Sequence, residues 1–121
     1  MKVVIAGSRD ISDRLGLVKA IVQSGFDITE VVSGKARGID TLGETWAAAN
    51  DIVVKQFPAD WTKHGNAAGP IRNAMMAEYA DAAIIIWNGE SKGTLNMIKN
   101  MHKLDKPYFI RMSFNGTSKQ K

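Results

Sequence analysis

Five short apolar runs, rich in β-branched residues, constrain this chain of 121 residues more than any other feature. They are Val3–Ala6, Glu30–Ser33, Ile52–Phe57, Ala83–Trp87 and Tyr108–Arg111. They do not alternate apolar with polar residues, as strands wetted on one face do, so they read as parallel strands buried on both faces. Helical patterns fill the intervals. Ile11, Leu15, Val18 and Val22 make one stripe, opened by Asp10 or Ser12 as N-cap. Ile39, Leu42, Trp46 and Ala49 make a second. Ile71, Met75 and Tyr79 make a third, with Pro70 in its first turn. Leu95, Ile98 and Met101 make a fourth. Strand and helix in alternation imply an α/β fold, a three-layer Rossmann-like domain around a five-stranded parallel sheet. Right-handed crossovers leave few topologies, and strand order 3-2-1-4-5 is the expected one.

Neither repeat nor linker interrupts residues 1–112, which read as one domain, followed by a polar, frayed tail over residues 113–121. The chain has no cysteine, so disulfides and thiolate metal sites are excluded. His64 and His102 lack a metal-ligand spacing, and no metal or other cofactor is expected. The N-terminal apolar run is too short for a signal peptide and no run reaches membrane-spanning length. A cytoplasmic protein with no membrane partner is the expectation. Net charge is +4, but Lys119 and Lys121 supply half of it and the other basic residues are dispersed. Nucleic acid is therefore a secondary candidate as partner, and an anion site on an ordinary surface the leading one.

In a sheet of this order the ligand lies beyond the strand C-termini, where the winding reverses. Three loops meet there. The first, Gly7-Ser8-Arg9, offers close backbone approach, a hydroxyl and a guanidinium fork for phosphate or carboxylate. A turn with a surface arginine is the structural alternative. The second reads SGKARGID, with Gly34 and Gly38 bracketing a turn whose N–H groups can face an anion at a helix N-terminus. It is neither a P-loop nor a GxGxxG fingerprint. Arg37 is a candidate phosphate contact. Asp40 is a candidate for ribose hydroxyls or, equally, a partner of the helix dipole. The third, WNGESKGT, repeats the pattern with Gly93 and with Thr94 opening a helix. Arg72 falls in a helix's first turn, where a cation opposes the dipole, which favours a ligand or subunit contact. In the long PADWTKHGNAAGP connection, Trp61 and His64 can close over a base or ribose, or Trp61 can pack the loop against the body.

The ordered motifs GSR, SGxARGxD, PADW, AGPIRNxxM, ADAxI and GT resemble the small YspA/YpsA-related branch of the SLOG superfamily, over nearly all of residues 2–110. The resemblance implies a Rossmannoid fold, a nucleotide or nucleotide-derived ligand such as an ADP-ribose-like molecule, and a homo-oligomer. Related branches include the LOG phosphoribohydrolases, which cut the N-glycosidic bond of nucleoside monophosphates, and a DNA-processing relative that binds single strands. This chain matches the LOG enzymes at Arg72, Ala80-Asp81-Ala82 and Gly93-Thr94. Their phosphate loop, however, is PGGxGT with a catalytic glutamate three residues after the threonine, where this chain has Met97. The expectation is a nucleotide-binding module. Its rivals are a nucleotide N-glycosidase using Asp40 or Glu90 and a single-strand nucleic-acid binder.

Overall fold

A computed structural model describes residues 1–114. Its elements are β1 (Lys2–Gly7), α1 (Arg14–Ser24), β2 (Glu30–Ser33), α2 (Ile39–Ala49), β3 (Val53–Gln56), α3 (Trp61–His64), α4 (Ala68–Tyr79), β4 (Ala82–Trp87), α5 (Lys92–Lys103) and β5 (Tyr108–Met112). The sheet has the order β3-β2-β1-β4-β5. Every neighbouring pair is parallel, with Val3 beside Val31 on one side and beside Ala82 on the other.

Alternation along the central strands divides the core between the two faces. Val3 and Ile5 of β1, with Ile84 and Ile86 of β4, pack against Leu17, Ala20, Ile39 and Ala47 of α1 and α2. Val4, Ala6, Ala83 and Ile85 point the other way, onto Met76, Ala77, Met97 and Met101 of α4 and α5. Burial on both faces holds for β1 and β4 but not for β3 or β5, whose residues are exposed or half-buried. Both strands are edges, and Lys55 and Gln56 suit β3 to that position by discouraging further pairing.

Two helices turn a different face inward from the one that their large apolar residues mark. In α1 the buried residues are Gly16, Leu17 and Ala20, while Leu15, Val18 and Val22 are exposed. The segment is apolar around most of its circumference, so several stripes fit a 3.6-residue period. Neither Asp10 nor Ser12 caps this helix: the Asp13 carboxylate accepts the Gly16 N–H at 2.9 Å. In α4, Ile71 and Met75 are exposed and Ala68, Gly69, Asn73, Met76 and Ala77 are buried. Most of these are small or polar, and a search for large apolar side chains passes over them.

The far end of α4 is closed by a side chain from elsewhere. Lys106 Nζ donates to the carbonyls of Ala77, Glu78 and Ala80, each at 2.8 Å. It satisfies carbonyls left open at the C-terminus and places a cation at the negative end of the dipole. At the end of β5, Ser113 is buried, its N–H donating to the Trp87 carbonyl at 2.9 Å and its hydroxyl to Asp13 at 3.0 Å. The first residue of the expected tail is thus part of the body. Residues 115–121, on which the rest of that expectation falls, lie outside the described residues. Among the described residues no helix is long and apolar enough to cross a membrane.

Lys106→Met keeps the aliphatic stem and removes the ammonium. Charge-assisted hydrogen bonds contribute about 1.5–3 kcal/mol, so urea unfolding is expected to show a loss of that order, with an unchanged m-value.

Candidate functional site

The winding reverses at β1, so the loops after β1, β2 and β4 converge beyond its C-terminal end. They enclose a cleft of about 460 Å³. Ala6, Met76 and Met97 supply apolar lining, and Gly7, Ser8, Arg9, Asp10, Arg37, Asp40, Arg72, Asn73, Asn88, Ser91, Gly93 and Thr94 most of the rest. Of the residues singled out from sequence, Gly7, Ser8, Arg9, Arg37, Asp40, Arg72, Gly93 and Thr94 therefore meet in one place. Gly34 borders an adjoining cavity. Gly38 and Glu90 line neither.

Ser8 fastens two of the loops together. Its N–H donates to the Ile86 carbonyl at 3.1 Å, and its Oγ accepts the Asn88 N–H at 3.2 Å. The residue is 1% exposed, so its amide serves the fold and is not presented to a ligand. Arg9, by contrast, is exposed at the rim.

The turn between β2 and α2 is occupied by the chain's own carboxylate. Asp40 is buried in the first turn of α2, and its Oδ2 accepts the Ala36 N–H at 3.3 Å. The Lys35 N–H is taken by Ser33 Oγ at 3.2 Å. Ser33 and Asp40 thus satisfy internally the Lys35 and Ala36 amides of the turn. Gly38, the N-cap of α2, is held at φ 75° and ψ −123°, a region open essentially to glycine alone. A Cβ there would lie 2.6 Å from the Arg9 carbonyl oxygen and 2.7 Å from that of Ser8. Gly38 thus seats α2 against the first loop without itself lining the cleft. Gly34 likewise permits a close approach, since a Cβ there would come 2.8 Å from Arg72 Nη1 and 3.0 Å from Asp40 Oδ2.

Burial pushes the Asp40 carboxyl up to about 6, against the lowering influence of the Ala36 N–H, the Arg72 charge and the Gly34 N–H. Arg72 lies in the second turn of α4, not the first, and reaches across to β2. Its Nη1 donates to the Gly34 carbonyl and its Nε to Asn73 Oδ1. Burial lowers the Arg72 pKa, the Asp40 charge opposes this, and the like charge of Arg9 adds to the lowering. Arg72 is therefore both a cleft residue and a strut between α4 and the β2–α2 turn.

On the far wall Ser91, rather than Thr94, caps α5, accepting the Thr94 N–H at 3.3 Å and the Thr94 hydroxyl at 3.0 Å. Asn88 Oδ1 accepts the N–H groups of Glu90 and Ser91 at 2.8 and 2.9 Å, fixing the approach to the cap. Sequence reasoning missed Asn73. It is 7% exposed and donates to the Gly93 carbonyl at 3.2 Å and to Asn96 Oδ1 at 3.0 Å, while orienting Arg72. Its signal was an amide with poor helix propensity in mid-helix, which needs partners once buried. Met97, where the LOG enzymes carry glutamate, is buried in the lining of the cleft.

A family model described as YspA, cpYpsA-related SLOG family matches residues 1–64, from β1 through α3. The Gene 61 protein of Mycobacterium phage D29 is 31% identical over 116 residues, spanning 88% of this chain and 92% of the phage protein. No solved structure matches the chain.

Two substitutions probe these contacts. Asp40 titrates near 6 when folded against an ordinary 3.8, so the folded state holds the extra proton between those values. Stability is therefore lost as pH rises from about 4 to 6, and the loss, roughly 2–3 kcal/mol, persists above. Asp40→Asn keeps an oxygen for the Ala36 N–H. It is expected to stabilise the protein at pH 7.5 and to match wild type at pH 4, as read by denaturant titration at both values. Gly38→Ala is expected to cost roughly 2–4 kcal/mol through its backbone conformation and the carbonyl clashes, visible as a lowered melting temperature.

Proposed function

The chain belongs to the YspA, cpYpsA-related SLOG family, and on that premise we propose that its cleft binds the phosphate-bearing part of a nucleotide or nucleotide-derived ligand, ADP-ribose-like molecules included. The observation that carries this reading is the convergence of Arg9, Arg37 and Arg72 on one cleft, two of them close enough for like-charge repulsion. Gathering cations is unfavourable in the free protein and favourable once an anion bridges them. Guanidinium forks suit the tetrahedral oxygens of phosphate. Asp40 shares the cleft, and a buried acid beside an anion site suits sugar hydroxyls, for which it can accept or, when protonated, donate.

The module reads as a binder or sensor. Met97 places a thioether where the related hydrolases hold a carboxylate, and general acid–base groups contribute about a hundred- to ten-thousand-fold. One observation favours a second reading, N-glycosidic hydrolysis: Asp40 has the perturbed pKa of many catalytic acids.

Both readings meet simple measurements. Calorimetry with ADP-ribose and adenosine 5′-monophosphate is expected to show saturable binding. Arg9→Ala and Arg37→Ala are expected to weaken it by about 1.5–3 kcal/mol each at a desolvated contact, with little change in stability. Arg72→Ala should lose both binding and stability, because its contacts to Gly34 and Asn73 go as well. Absence of binding by any phosphate-bearing ligand at millimolar concentration would overturn the proposal. Incubating wild type with nucleoside monophosphates is expected to leave them intact over hours. Release of free base, abolished by Asp40→Asn, would replace the binding reading with the hydrolytic one.

A further inference from the structure

A second cavity of about 140 Å³ adjoins the cleft and shares Arg9, Ala36 and Arg72 with it. Gly34, Lys35, Pro58, Ala59 and Trp61 complete its lining. We propose that this cavity is a nucleobase subsite in which Trp61 provides the stacking surface, so that the ligand of the cleft is a nucleotide rather than a phosphorylated sugar or inorganic phosphate. The proposal rests on the phosphate-binding reading of the cleft.

Trp61 is 51% exposed, although tryptophan is among the residues whose surface is most costly to leave in water. It is not on a loose loop. Asp60 caps α3, accepting the Lys63 N–H at 3.1 Å, and Gly65 at φ 57° ends the helix. The ring is also placed against α4: a Cβ on Gly69 would lie 3.6 Å from Trp61 Cη2 and 4.0 Å from Arg72 Nη2. An indole carried on a capped helical turn thus lies near a cleft guanidinium, in the lining of a small cavity, with half of its surface uncovered.

The cavity has the bulk of roughly five waters at liquid density. That suits one planar ring system and leaves the sugar and phosphate in the larger cleft. The border between the two cavities is made by Arg9, Ala36 and Arg72, where a ribose would pass. Aromatic and guanidinium surfaces are both good stacking partners for heterocycles, and stacking tolerates any base because each has a π-face. The subsite therefore predicts a gain in affinity from the base with modest discrimination among bases.

The test compares the four ribonucleoside 5′-monophosphates with ribose 5-phosphate by calorimetry on the full chain. On wild type, the best nucleotide is expected to bind about tenfold or more tightly than ribose 5-phosphate. In Trp61→Ala the advantage should fall to about twofold or less while ribose 5-phosphate affinity stays unchanged, and Trp61→Phe should retain much of it. Thermal melting checks that both variants fold, as expected for a half-exposed position. Equal binding of nucleotides and ribose 5-phosphate by wild type, or a nucleotide advantage that survives Trp61→Ala, would overturn the base subsite and leave the phosphate cleft standing. Binding of neither ligand class would overturn the cleft itself, and the subsite with it.

Discussion

The reversal of winding at β1 is the constraint from which the rest of the structure follows. β1 pairs with β2 on one side and with β4 on the other. Right-handed crossovers then send α1 and α2 to one face and α4 and α5 to the other, so the loops at the strand ends diverge to opposite faces of the sheet. The gap between them cannot be filled by helix. Three arginines, two methionines and the buried Asp40 meet there because of this topology.

The cleft is held open by polar contacts between loops far apart in sequence. Ser8 ties the first loop to the fourth strand's loop through Asn88, and Arg72 ties α4 to Gly34. Asn73 joins α4 to α5. Three arginine side chains bring positive charge to the cleft, and the glycines of the second loop serve close packing around Asp40 and the first loop.

Sequence patterns revealed the strands, their order and eight of the cleft residues, because β-branched runs and glycine-rich strand ends follow from backbone geometry. The inward faces of α1 and α4 were not legible. Leu15, Val18 and Val22 satisfy helical spacing as well as Leu17 and Ala20 do, and packing against the sheet makes the choice. Nor could the sequence reveal that Asp40 turns back on its own preceding turn. That depends on Gly34 and Gly38 leaving room where a Cβ would come within 3 Å of its neighbours, which no local pattern encodes. Asn73 was hidden for a related reason, since its partners lie 20 and 23 residues away.

The same register has a consequence for how the chain acquires its shape. Val3 lies beside Ala82 and Gly7 beside Ile86, so the middle strand gains its second neighbour only from residues some eighty positions later. Local helices form in microseconds, but closing a loop of that length must precede any reward from the contact. During synthesis the first half therefore emerges with one edge of β1 bare and its apolar row uncovered, and stays so until β4 is made. Until then the uncovered strand edge is a template on which another unfinished chain can pair.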